Sequence, residues 1–211
     1  MKKEIMTDKP TVHKIMDAAI PLFAQKGFAA VSVKQIAEAA GVNIALISYH
    51  FGGKENLYAA ILEAQFELSD NIIRLIREEE HCPIERIRRF AQDFIKVHKK
   101  YPYIHHLIYG ETRNMTDCYE SIVKPGIIRS HDFLEECIQE GITSGQIRPD
   151  IKPDCTNVLL HSILHFYFFT SHIADMFLEQ EHNKAEYYMV EAIEMFLKSI
   201  LNTSTLIEKK Q

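Results

Sequence analysis

Apolar residues recur every three to four positions along most of this chain, the spacing of one buried face on a helix. Ile15, Ala18, Ala19, Leu22 and Phe23 form the first such stripe, after a start signal near residues 8–11. Gly27-Phe28 ends it, a glycine exit followed by an apolar residue that folds back on the last turn. Ser32 opens "SVKQIAEAA", and Gln35 three positions on completes a capping box, each residue satisfying the other's free backbone group. Gly41 closes this short helix. Asn43 caps a third helix that runs to Phe51, where Gly52-Gly53 break it. From Lys54, the stripe Leu57, Ala60, Ile61, Ala64, Leu68, Ile72 and Leu75 predicts one long helix to about residue 80. Further helices are predicted at 83–100, 102–113, about 120–144, 154–178 and 184–204, punctuated by Pro102, Gly145 and Pro149 to Pro153, with a frayed tail over 205–211. No run alternates with the period of a strand, so the fold class is all-α.

Composition narrows the picture. A chain of 211 residues with 46% hydrophobic and 25% charged residues can bury a sizeable core. Its most apolar stretch, "VLLHSILHFYFF" from Val158, is too short for a membrane span and carries two histidines. The start "MKKEIMTDKP" lacks the apolar centre of a secretory signal, which points to the cytosol and to no membrane partner. Cys82, Cys118, Cys137 and Cys155 form no Cys-x-x-Cys pair and read as isolated thiols. The net charge of −5 is uneven: residues 1–60 balance at +2 and the remainder at −7. A mildly basic head on an acidic body leaves nucleic-acid binding open.

Two short helices joined by a glycine turn, the first capped, have the sequence form of a helix-turn-helix. In such a unit the first helix braces across the DNA backbone while the second presents its early residues to base edges in the major groove. Ile36, Ala37, Ala40, Val42 and Ile47 suit the close packing of the pair. Ser32, Lys34, Gln35, Asn43, Ile44, Ala45, Ser48, Tyr49, His50 and Lys54 are then the candidate DNA-binding residues. Tyr49 and His50 can donate to phosphates, and Lys54 adds charge where free backbone N–H groups already favour an anion. On this reading Tyr49, His50 and Lys54 form a phosphate clamp.

At these residues the chain resembles the TetR/AcrR family of bacterial transcriptional regulators. The resemblance rests on Gly27-Phe28, Ser32-Val33, Ile36-Ala37, Ala40-Gly41-Val42-Asn43, and Tyr49-His50-Phe51 with Lys54-Glu55 and Leu57. It covers roughly residues 9–69 and implies a DNA-binding domain there, motif 32–51, with residues 70–211 as a helical effector-binding and dimerisation domain. "GITSGQIRPD" (141–150) is similar to a turn common before that family's penultimate long helix. Ile44, Ala45, Leu46, Ser48 and Gly53 depart from the family's frequent residues, and an apolar start to the groove helix can meet thymine methyls but makes few base hydrogen bonds.

The resemblance further implies a homodimer on double-stranded operator DNA, acting as a repressor released by a small, mostly apolar effector. The helices near 154–178 and 184–204 would pair between copies, with Met195 and Phe196 in the seam. Phe94, His98, Ile104, His105, Leu107, Ile108, Glu111, Ile127, His131, Phe166 and Phe169 are the implied pocket residues. A protein partner in place of a small ligand is the alternative.

Other chemistries fit less well. "GGKE" fails as a phosphate loop, because Ser48 stands where a glycine is needed and Glu55 where a hydroxyl is needed. No standard hydrolase, dinucleotide or zinc-protease motif occurs, so no catalytic residue, enzyme activity or cofactor is expected. His161 and His165 lie one turn apart, but His172 is about 10 Å further along. Without another ligand in view no metal is expected, and packed helix or interface histidines are the simpler reading.

Overall fold

The computed structural model describes residues 9–179 and 182–202; the chain start, the tail and the end of the predicted 184–204 helix lie outside them. Among the described residues the regular elements are helical: α1 (Lys9–Lys26), α2 (Val33–Ala40), α3 (Ile44–Phe51), α4 (Lys54–Glu79), α5 (Pro83–Lys100), α6 (Ile104–Arg113), α7 (Lys124–Thr143), α8 (Pro153–Ala174) and α9 (Lys184–Ile200). Every predicted helix is present, with ends displaced by a few residues. α7 is preceded by a π-helical turn, Tyr119–Val123, where the Lys124 N–H reaches the Tyr119 carbonyl. Pro125 accounts for it: with no N–H to give, it denies the Ser121 carbonyl an α-helical partner and favours a wider turn.

The chain forms two compact units. One comprises Met1–Glu67 with Tyr103–Pro125, the other Leu68–Pro102 with Gly126–Gln211. α6 therefore packs with the head. Its Leu107, and Val123 beyond it, join a core of Ile15, Ala19, Phe23, Ile36, Ile47, Leu57, Ile61 and Phe66. Tyr58 ties this arrangement together by donating to the buried Glu111 carboxylate at 2.9 Å, which also accepts from the backbone N–H and hydroxyl of Thr116. Burial, then that hydrogen bond, push the Tyr58 phenol above the ordinary tyrosine range.

The second unit, the body, is centred on Ile87, Phe90, Phe133, Leu134, Ile138, Leu160, Leu164, Ile193, Phe196 and Leu197. α9 packs against α5 and α8. The 141–150 turn is structural. Gly145 takes φ +74°, and Ile147 closes against Gly141, where a Cβ would come within 2.6 Å of the Ile147 side chain. Arg148 then donates to the Ile200 carbonyl, stitching the turn to the end of α9.

Candidate nucleic-acid interface

α2 and α3 have eight residues each, too few to be stable alone in water, so their ends must be fixed by side chains. Ser32 and Gln35 form the reciprocal capping box: the Gln35 N–H donates to Ser32 Oγ at 3.2 Å and the Ser32 N–H to Gln35 Oε1 at 2.9 Å. Gly41, at φ +60°, supplies the left-handed turn that lets its N–H reach back to α2. Asn43 Oδ1 then accepts from the Ala45 N–H at 2.8 Å and starts α3. Ile47 is fully buried and holds α3 to the head core.

With Ile47 inward, Ile44, Ala45, Ser48 and Tyr49 are exposed together on the opposite side of α3. Ile44 is 48% exposed and Tyr49 67%, large values for such side chains. Tyr49 meets His50 edge-on at 4.9 Å between ring centres. Lys34 is exposed on α2, in a long 3.9 Å pairing with Glu38.

Lys54 has partners inside the head as well. Its ammonium donates to the carbonyls of Phe28 at 3.1 Å and Val31 at 3.0 Å and lies 4.2 Å from the Phe28 ring centre. Two of its three N–H groups thus serve the α1–α2 connection, and the residue is a clasp within the head before it is anything else. Sequence reasoning passed over Lys14, an exposed side chain whose ammonium lies beside the Gly41 turn, 3.7 Å from where a Cβ would stand. The two residues are far apart in the chain, so no local pattern pairs them.

The expected pocket residues are divided between the two units. Ile104, His105, Leu107, Ile108 and Glu111 belong to the first unit, with Leu107 and Ile108 in its core and Glu111 engaged by Tyr58 and Thr116. Ile127, Phe166 and Phe169 are exposed in the second unit. Phe94, His98 and His131 do cluster there, where α5, α7 and α8 meet. Phe94 stacks on His98 at 3.9 Å and meets His165 at 4.8 Å, while His131, His161 and His165 form a parallel row at 5.2 and 5.7 Å. Asn157, fully buried, donates to His131 Nδ1 and to the His131 carbonyl.

Burial pulls His98 and His161 down to about 4, the second assisted by its neighbour His131, so both are neutral at pH 7. Asn157 Oδ1 and His161 Nε2 are buried without a hydrogen-bond partner. Among the described residues no group of three His, Cys, Asp or Glu side chains has the geometry to hold a metal. A separate open groove in this unit, about 600 Å³, is lined by Asp70, Ile73, Arg74, Arg77, Glu78, Arg129 and Asp132.

α8 and α9 leave an apolar face uncovered. Val158, Leu159, Phe166, Phe169 and Ile173 line α8, and Tyr187, Val190 and Met195 line α9. Phe196, by contrast, is only 4% exposed and belongs to the body core, which removes it from the expected seam. No described helix is long and apolar enough to cross a membrane.

Comparison with known proteins agrees with this geometry. Residues 15–61 match the profile described as "Bacterial regulatory proteins, tetR family". A Bacillus subtilis protein named as a probable HTH-type transcriptional regulator, YttP, is 24% identical over 196 residues, 92% of this chain and 95% of that one. The biofilm operon icaADBC HTH-type negative transcriptional regulator IcaR of Staphylococcus aureus is 30% identical over 82 residues, 39% of this chain and 44% of its own length. The crystal structure of HlyIIR, a hemolysin II transcriptional regulator, superposes with a TM-score of 0.71 at 26% identity, covering 92% of this chain and 99% of that chain. Residues 15–61 thus carry the tetR-type regulatory domain, and the chain as a whole is similar in sequence and fold to transcriptional regulators.

Proposed function

We propose that this regulator is a homodimeric repressor that holds a pseudo-palindromic operator through α3 and releases it when a small, mostly apolar effector occupies the body. The observation that carries the reading is the exposed face of α3, Ile44, Ala45, Ser48 and Tyr49, on a short helix fixed by caps at both ends and by Ile47 beneath. Residues 9–69 supply the DNA-binding domain, and 70–211 the effector-binding and dimerisation functions. Ser32, Lys34, Asn43, Tyr49 and His50 are suited to phosphate contacts, and Lys14 joins them.

The uncovered α8–α9 face supports the dimer, because soluble monomers rarely expose so many large apolar side chains together. Two heads would then sit one turn of DNA apart, roughly 34–36 Å. That IcaR is named a negative regulator supports repression as the sign. For the effector, the cluster of Phe94, His98, His131, Asn157, His161 and His165 is the best supported region: stacked rings with buried polar atoms among them, of which Asn157 Oδ1 and His161 Nε2 are unpartnered. Action on DNA places the protein in the cytoplasm. Control by a protein partner is the second reading, favoured by Met176 and Phe177, which stand about four-fifths exposed just past the end of α8.

Binding of the full chain to duplexes tiling the DNA upstream of its gene and its neighbours tests the proposal. Two protomers per site are expected, with affinity at least about a thousandfold above random duplex at physiological salt. Equal affinity for every duplex would count against it. An effector should weaken operator binding about tenfold or more, a coupling of about 1.4 kcal/mol. Compounds that bind the body without that effect would move partner control ahead.

A further inference from the structure

The side chains that most often read bases by paired hydrogen bonds are missing from α2, α3 and their caps or already engaged there. Arginine, the commonest reader of guanine, does not occur before Arg74. Asparagine and glutamine read adenine by accepting and donating at once, yet Asn43 Oδ1 holds the Ala45 N–H and Gln35 Oε1 holds Ser32 through two donors. Lys34 stands on the bracing helix α2 and leans toward Glu38. What α3 offers at its start, where a groove helix meets base edges, is Ile44 and Ala45, both exposed, with the Ser48 hydroxyl one turn on. An isoleucine left 48% exposed gains by meeting an apolar surface, and the thymine C5 methyl is the only such group that base pairs present in the major groove.

We propose that Ile44 and Ala45 set operator specificity by packing on thymine methyl groups, so that each half-site is recognised at A·T pairs through apolar contact and not through hydrogen bonds to guanine. This rests on the reading that α3 enters the major groove. Ser48 is compatible with either base pair, so discrimination falls on the two apolar residues.

Single-atom changes in the DNA separate the possibilities. The site is first selected from random duplexes with the full-length protein. Each thymine is then exchanged for deoxyuridine, which removes only the C5 methyl, and each guanine for 7-deazaguanine, which removes the N7 acceptor. At least one thymine per half-site should lose about fourfold in affinity on exchange, as expected for one apolar carbon returned to water. Guanine exchange should leave affinity within about twofold. In Ile44→Ala, whose side chain is exposed and outside the head core, the penalty for deoxyuridine should shrink toward none. If no thymine matters, if guanine exchange costs more than thymine exchange, or if Ile44→Ala keeps the full methyl penalty, the inference is overturned while DNA binding stands. Failure to bind any duplex would overturn both.

Discussion

The head and the body start their helices in different ways. In the head, α2 and α3 are each eight residues long and open on side-chain caps, Ser32 with Gln35 and Asn43. In the body, α5 and α8 are 18 and 22 residues long; both open on a proline, after Cys82 and Lys152, with no side-chain cap. A two-turn helix buries too little to outweigh the cost of nucleation, so local hydrogen bonds must define it. A helix of five or six turns is defined by the face it buries, and a proline at the first turn suffices to mark its start. The α2–α3 pair is therefore specified locally, residue by residue, and α5 and α8 by packing at a distance.

The largest effect that sharpens this contrast comes from two neighbouring residues on α9. Met195→Asp changes a side chain that is 67% exposed and should leave a folded monomer whose operator affinity drops by orders of magnitude, since one head alone loses the second half-site. Phe196→Asp places a charge in the body core and should unfold the body instead. Sedimentation with circular dichroism distinguishes the two outcomes; a tight dimer of Met195→Asp would move the interface elsewhere.

Next in size is Lys54→Met, which leaves the Phe28 and Val31 carbonyls without their cationic donor. It should cost the head about 1–3 kcal/mol. The salt dependence of DNA binding should fall by less than one counterion, since two of the three N–H groups of Lys54 face inward. A full unit of lost salt slope with unchanged stability would restore it to a phosphate clamp.

Proton binding tests the body from the opposite side. His98 and His161 sit at about 4 in the folded body against 6.5 for the free side chain, so the unfolded chain takes up the protons first. Stability should be full above about pH 6.5 and decline as pH falls toward 4, by about 2 kcal/mol per histidine at pH 5. Amide exchange in α5 and α8 should report the loss, and His161→Phe should remove its share of the pH dependence.

Smallest are the caps themselves. Asn43→Ala should cost about 1 kcal/mol and loosen α3, whereas Lys152→Ala at the start of α8 should be close to neutral. Similar costs at both positions would break the comparison between head and body.

The same contrast governs what the sequence made legible. Ser32, Gln35, Gly41, Asn43 and Gly52 announce the helix-turn-helix because each acts within a few residues of itself, and all five do what their spacing predicts. The inward role of Lys54 was hidden because its partners lie 23 and 26 residues earlier. Met195 and Phe196 are equally apolar on paper, and only packing turns one outward and the other inward. Glu111 is among the implied pocket residues, but Tyr58 and Thr116 occupy its carboxylate, a contact that needs α4 and α6 in place. The row of His131, His161 and His165 was half visible: the one-turn spacing on α8 could be read, the third ring on α7 could not.

On the proposed function, the exposed face of α3 reads DNA in two copies. Selection of binding sites from a random duplex pool with the full-length protein, followed by sequencing, tests it most directly. The expected product is an inverted repeat whose half-site centres lie about 10–10.5 base pairs or a multiple apart, with loss of that enrichment in Ile44→Glu while the variant stays folded. A recovered pool indistinguishable from the input, or the same repeat recovered by Ile44→Glu, would contradict it.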